Sequence, residues 1–276
     1  MIDKFVKQIV LAKKDSRKGE NGRVLVIGGS KLFHAASFWS ACMASKIVDM
    51  VHFSSPAIEN NELMRVRAKE KFWEGIVVPW EEIAHYIEED DAILIGPGMT
   101  RSIINSNNQA PNSKQIQNTN DQNTKEIINS LLSKYPNKRW VVDGGALQEV
   151  EPSLLNKNMI ITPNVKEMEI LLHHYTITPL HHLGVTVLAK GPVDSVNGIK
   201  IKGGSAGMTK GGTGDVLAGI VVGLYAKSPA MASCVVASTA NKRAGEQLEK
   251  KLGPFFSAGD LIPEVQKVLG EMLDID

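Results

Sequence analysis

The sequence predicts one alternating α/β domain over residues 1–276, built on an open, mostly parallel, doubly wound sheet. Three observations carry that reading. Short apolar runs recur along the chain, each stops at a glycine or polar turn, and stretches of helical periodicity fit between several of them. A run that is apolar at every position marks a strand covered on both faces, as parallel strands are.

At the start, Ile2, Phe5, Val6, Ile9 and Val10 have helical spacing, and Lys18–Gly22 is a loop. Arg23–Ile27 is the first strand and stops at Gly28-Gly29-Ser30. Residues 36–48 carry small and apolar side chains at helical spacing, and Val51–Ser54 is a second strand closed by Pro56. Ala92–Ile95 ends at Gly96-Pro97-Gly98, and Trp140–Val142 at Asp143-Gly144-Gly145. Met159–Ile161 ends at Thr162-Pro163-Asn164, and Val185–Ala189 at Lys190-Gly191. Helices are expected at Thr124–Leu132 and Val165–Leu172. Ligands of open parallel sheets gather beyond the carboxyl ends of the strands, so five of these turns are expected to share one site. Residues 105–123 break the pattern. Eleven of the nineteen are Asn or Gln, too polar to repay ordering by burial, and a flexible surface insertion is expected there.

Bulk composition excludes more than it suggests. With 31 Lys+Arg against 30 Asp+Glu, the net charge of +1 gives no support for a nucleic-acid or membrane-surface partner. No apolar run is long enough to span a bilayer, and Met1–Lys4 does not open a signal peptide. Cys42 and Cys234 cannot make a disulfide framework, so the reducing cytoplasm is the expected location.

The strongest chemical signal is the run from Gly203 to Asp215, followed at once by helical spacing at Val216, Leu217, Ile220, Val221 and Leu224. A glycine turn that opens a helix aims free N–H groups outward, and the helix dipole adds to them: an anion site. Gly211, Gly212 and Gly214 can take positive φ and admit a phosphate close to the backbone. Asp215 falls in the first turn, where it can serve as a cap or as the base that takes a proton from an attacking hydroxyl. The spacing is neither Walker A nor the dinucleotide fingerprint.

Other residues have plainer readings. His173-His174 and His181-His182 lack acidic or Cys companions and read as solvated linker rather than a zinc site. Cys42 reads as a buried thiol, and Trp73, Trp80 and Trp140 as packing residues. Asp143 is placed either to touch Mg²⁺ or water, or to cap the following turn, and Asp194 reads as a surface turn residue.

Gly212-Thr213-Gly214-Asp215 before a helix resembles the ribokinase-like superfamily. The longer string Gly207–Gly219 resembles one branch of it, the ADP/ATP-dependent NAD(P)H-hydrate dehydratases, also called carbohydrate-kinase-related dehydratases. Lys18–Ser30, Ile95–Gly98, Val141–Leu147, Thr162–Glu167 and Lys190-Gly191 are similar to that family's other motifs, in the same order. The resemblance implies a ribokinase-like three-layer sandwich that repairs hydrated NADH and NADPH. The hydroxyl at ring position 6 of the S epimer is phosphorylated from ADP or ATP, and phosphate is then eliminated.

It also implies roles. Asp215 is the base, and the amides of Gly212, Thr213 and Gly214 hold the transferring phosphoryl group. Lys190, Gly191, Gly211 and Gly214 lie by the nucleotide, and Ala36, Gly98, Asn164 and Asp215 by the hydrated cofactor. Mg²⁺ is expected on the phosphates, with Asp143 and Glu167 as candidate contacts. A homo-oligomer is implied, with a tetramer as one form. An R-to-S epimerase is expected as a separate protein.

The sequence departs from the family pattern at several points. The first loop reads His34-Ala35-Ala36 where a glycine is usual in the middle, and Gly145 replaces an Asp. Asn164 replaces a His and can hydrogen-bond but not titrate near neutrality. The stretches from Leu172 to Gly184 and from Lys190 to Gly203 are shorter than usual, the second being where a hairpin covers the nucleotide. Alternatives are a vitamin-precursor kinase of the same superfamily, whose product would keep the phosphate, and a nucleotide-binding protein without catalysis.

Overall fold

The structure is a computed structural model that describes residues 2–68, 74–100, 124–174 and 183–274. The expected insertion at 105–123, Trp73 and the His181-His182 pair lie outside the described residues.

Nine strands form one sheet: β1 Arg23–Ile27, β2 Met50–Ser54, β3 Gly75–Val77, β4 Ala92–Ile95, β5 Arg139–Val142, β6 Met159–Ile161, β7 Thr186–Ala189, β8 Asp194–Val196 and β9 Ile199–Ile201. Their order is β3-β2-β1-β4-β5-β6-β7-β8-β9. Pairing is parallel as far as β7, and β8 and β9 add an antiparallel hairpin at the edge. All six expected strands are present. The short stretch after Lys190 still makes its hairpin. Gly75–Val77, at the start of an apolar stretch of only three residues, Ile76-Val77-Val78, is the outer strand at the other edge.

The helices are α1 Asp3–Val6, α2 Ala35–Ala44, α3 Ile58–Ala68, α4 Ile83–Glu89, α5 Thr124–Lys134, α6 Gly145–Glu149, α7 Val165–His174, α8 Thr213–Tyr225, α9 Ala230–Leu252 and α10 Ala258–Met272. Strand side chains alternate between faces, and this divides the core in two. Val24 and Val26 of β1 pack under α2, α8, α9 and α10, while Leu25 and Ile27 join the side chains of α4, α5, α6 and α7. The result is the expected three-layer sandwich. No helix among the described residues is long and apolar enough to cross a membrane.

Strand order reverses between β1 and β4, so the chain diverges there and leaves a crevice at the carboxyl edge. The loops after the two strands meet in it, where the Gly29 amide donates to Pro97 O at 2.7 Å. Helix α8 runs from this edge to the opposite one, where Tyr225 Oη donates to Asn158 O at 3.0 Å and Arg139 donates to Tyr225 O at 2.7 Å. It packs tightly on α2: a Cβ on Gly219 would lie 2.5 Å from Ser40 O and 2.9 Å from Met43 Cβ.

Candidate active site

The start of α8 is held from below. Gly212 is its N-cap residue with φ +95°, a left-handed conformation that a side chain disfavours. A Cβ there would also lie 2.7 Å from Ala258 Cβ and 2.9 Å from Trp39 Cδ1. Of the three glycines expected to use positive φ, only Gly212 does so. Gly211 sits in open space, and Gly214 is helical, with a virtual Cβ 3.8 Å from Lys190 Nζ. Glycine at 214 therefore keeps the gap between the helix start and the ammonium clear. The Thr213 hydroxyl donates to Met208 O at 2.6 Å and to Lys210 O at 2.9 Å, which turns its side chain inward to fix the turn. Lys210 Nζ in turn reaches Pro254 O and Phe256 O. Of the first-turn amides, that of Thr213 donates to Lys210 O in a long bond of 3.4 Å, and those after it point away from the helix, as at any helix start.

Asp215 stands one residue further on. Ser40 Oγ, on α2, donates to its carbonyl at 2.8 Å, and among the described residues its carboxylate takes no hydrogen bond. Its pKa is pushed up to about 7. Burial is the main cause, the Asp143 carboxylate adds to the rise, Lys190 opposes it, and Glu167 adds again. Such a carboxylate is a base poised at neutral pH.

The ends of β5, β6 and β7 meet opposite it. Lys190 Nζ lies 2.6 Å from Asp143 Oδ1, and Thr162 Oγ1 donates to the same oxygen at 2.6 Å. Burial works against the charge on Lys190, but Asp143, Glu167 and Asp215 outweigh it and hold its pKa above the ordinary value. Asp143 is buried, and this ion pair is its main engagement, rather than the turn cap. Asn164 and Glu167 form a capping box at the start of α7: Glu167 N donates to Asn164 Oδ1 at 3.0 Å, and Asn164 N donates to Glu167 Oε2 at 2.8 Å. Asn164 itself stays exposed at the rim.

On the other side, Gly98 (φ +72°) lies against the α2 loop, where a Cβ would collide with Phe33 O and come within 3.2 Å of Ala36 Cβ. Ala36 and Gly98 thus lie against one another on this side of the crevice. The departure at Gly145 has a local cause, because Met99 O occupies the place of a Cβ.

Lys190, Gly191, Gly214 and Asn164 also line a cavity of about 770 Å³ that extends under α9. The sequence reading missed what shapes its far end. Lys242, on α9 and buried, lies 3.3 Å from Asp194 Oδ1 and donates to Gly191 O at 3.0 Å and Gly203 O at 3.4 Å. Asp194 also accepts from Ser238 Oγ at 2.7 Å and from the Gly191 amide at 2.9 Å. It is 4% exposed, so the expected surface turn residue is instead a buried anchor. Trp39 beneath Gly212 was missed too.

Among the described residues no group of three His, Cys, Asp or Glu could hold a metal. Asp143 Oδ1 and Glu167 Oε2 are already engaged by protein donors. The residues present fit a Mg²⁺ that arrives on phosphates and keeps its waters, taking at most one or two carboxylates, and not a cage made by protein alone.

A glycine-started helix with a free carboxylate in its first turn, facing a strand-end lysine across a doubly wound sheet, is a ribokinase-like arrangement. Solved structures bear out the fold. A ribokinase-like superfamily protein from Enterococcus faecalis superposes with a TM-score of 0.77 at 20% identity, covering 99% of this chain and 95% of that one. The ADP/ATP-dependent NAD(P)H-hydrate dehydratase of Bacillus subtilis, co-crystallised with ATP/Mg²⁺, gives 0.70 at 17% identity, covering 99% and 97%. Residues 24–267 match the NAD(P)H-hydrate dehydratase family, and the chain belongs to it. It is 32% identical to the ADP-dependent (S)-NAD(P)H-hydrate dehydratase of Nitrosopumilus maritimus, over 96% of this chain and 94% of that protein. It is also 32% identical to a bifunctional NAD(P)H-hydrate repair enzyme of Methanocaldococcus jannaschii, over 94% of this chain. The chain spans about half the length of that bifunctional relative, 50%.

Proposed function

We propose that this protein dehydrates the S epimer of hydrated NADH and NADPH, using ADP or ATP, and so restores the nicotinamide cofactor. The observation that carries the reading is Asp215: an unbonded carboxylate with its pKa pushed up to about 7, at a helix start of the kind that favours anions.

Asp215 takes the proton of the 6-hydroxyl, and the oxygen attacks the terminal phosphorus of the nucleotide. The bond from that phosphorus to the bridging oxygen breaks, releasing AMP from ADP or ADP from ATP. The amides of Gly212, Thr213 and Gly214 stabilise the charge that develops on the phosphoryl oxygens. Gly211 keeps the turn open, and Lys190 and Gly191 meet the nucleotide phosphates from the end of β7. Mg²⁺, when bound, neutralises phosphate charge, with Asp143 and Glu167 as the carboxylates able to face it or its waters. Ala36, Gly98 and Asn164 orient the hydrated ring. The ring nitrogen lone pair then expels phosphate from C6, and loss of the C5 proton restores the dihydropyridine. Hydroxide leaves poorly and phosphate well, which is the reason for the nucleotide.

We read residues 1–276 as one catalytic domain that works in the cytoplasm as a homo-oligomer, a tetramer being one form. Cys42, half-buried, and Cys234, buried, form no disulfide with one another, which supports a reducing compartment. The test is incubation with hydrated NADH and ADP or ATP. Recovery of NADH absorbance together with stoichiometric phosphate release is expected. Transfer without recovery of absorbance would make the protein a kinase, and no reaction at high enzyme concentration would leave it a binding protein.

A further inference from the structure

A lysine at the head of a phosphate-binding glycine turn is ordinarily a phosphate ligand. Lys210 holds that place in the sequence, directly before Gly211-Gly212. The structure turns its side chain the other way. Nζ donates to Pro254 O and, at 2.7 Å, to Phe256 O, so one ammonium clamps the backbone on both sides of Phe255. It also stands 5.4 Å from the centre of the Phe256 ring. Lys210 does not line the cavity that Lys190 and Gly214 line. Nor is it among the charges that move the Asp215 pKa, which are Asp143, Lys190 and Glu167.

The segment it grips, between α9 and α10, is the seat of the turn. Phe256 is buried, and its ring fills the space that a Cβ on Gly207 would need. Ala258, two residues on, sits under Gly212. Ser257 N and Oγ both donate to Asp260 Oδ2 at 2.7 Å, which fixes the start of α10. On the turn side, the Lys210 carbonyl accepts from the Thr213 hydroxyl at 2.9 Å and from the Thr213 amide at 3.4 Å. One residue thus ties the α9–α10 connection, through its ammonium, to the first residue of α8, through its carbonyl. An anion hole works through amides aimed in advance at the charge that develops. A turn rich in glycine has little stiffness of its own, so its aim must come from its surroundings.

We propose that Lys210 is a positioning residue for phosphoryl transfer: it does not touch phosphate, and it sets the amides of the glycine turn by clamping the α9–α10 connection. This inference rests on the nucleotide-dependent reading above, and its test therefore includes a binding arm made without hydrated cofactor.

The variants are Lys210→Met, Lys210→Arg, Phe256→Leu and the Lys210→Met/Phe256→Leu pair, each in the full chain. ADP is titrated calorimetrically. Lys210→Met should weaken ADP by at least about threefold, and by the same factor at low and at physiological ionic strength, because no charge leaves the phosphates. Lys210→Arg, whose planar fork can reach both carbonyls, should stay within about twofold of wild type. The pair should be less than the product of its members by at least about threefold, since both act through one connection. With hydrated NADH, Lys210→Met should lower kcat about tenfold per folded enzyme and leave KM for the hydrated cofactor within about twofold. A merely structural lysine would lower the melting temperature and leave that kcat unchanged. Unchanged ADP binding in Lys210→Met, a loss that fades as salt rises, no rescue by arginine, or a multiplicative pair overturns the proposal. Should Phe256→Leu fail to fold, the salt and arginine arms decide. Coupled losses of ADP binding in a protein that never regenerates NADH uphold it and overturn the dehydratase reading alone.

Discussion

The two sides of Asp215 are made by different means. Toward α2 and β4 the crevice is shaped by backbone, with the Gly29 amide on Pro97 O and Gly98 pressed against the Phe33 carbonyl and Ala36. Toward β5, β7 and α9 it is shaped by buried ions: Asp143 with Lys190, and Asp194 with Lys242. Close backbone approach fixes shape, whereas buried pairs fix charge at some cost in desolvation. The first suits an uncharged ring that must be held in one pose. The second suits phosphates whose charge must be met.

The largest expected effect lies on the seam. Asp215→Asn should lower kcat by about 10²–10⁴-fold. In the wild type kcat/KM should rise with pH through about 7 and level off above it, since the base works deprotonated. Stability runs the other way. The folded pKa lies above the unfolded value of 3.8, so the stabilising share of the neutral form is full below that value and is lost as pH rises through about 7. At pH 8 the Asn variant should therefore melt higher than wild type. Unchanged rates would take Asp215 out of the mechanism and leave the two sides without a centre.

Lys190→Met tests the ionic side next. It strands Asp143 without its cation, a loss of about 3–5 kcal/mol in urea denaturation. Lys190 also holds the Asp215 pKa down, so the midpoint of the pH–rate profile should move upward in any folded fraction. A stable variant with an unmoved midpoint would show that charge is not what this side supplies.

Gly98→Ala tests the backbone side and should cost less, about 1–3 kcal/mol for a side chain forced to φ +72°. KM for the hydrated cofactor should rise at least severalfold, with the ADP dissociation constant within twofold of wild type. Equal damage to both ligands would erase the distinction between the sides.

The legible parts of this molecule share one property: local sequence decides them. β1, β4, β5 and β6 are apolar at nearly every position because both faces are covered, and the turn at Gly211–Asp215 announces itself by glycine spacing. What was not legible depends on partners remote in sequence. Asp194 follows a Gly-Pro turn and looks solvated until Lys242 and Ser238 arrive from α9. Asn241 and Lys242 look like an ordinary wet helix face, since nothing local says that α9 lies over a cavity. β3 is three residues with no fully buried position, too little pattern to find. Gly145 reads as a lost functional group until Met99 O is seen to fill its space.

Helices α2 and α8 meet through Gly219, and Ser40 is bonded to the Asp215 carbonyl. The loop proposed to face the cofactor ring and the proposed proton acceptor are thus mounted on one rigid frame. The side chains of Leu32 and Phe33, at the tip of that loop, are exposed. Such an arrangement separates tip from mount: substitutions at the exposed loop tip should leave the position of Asp215 undisturbed.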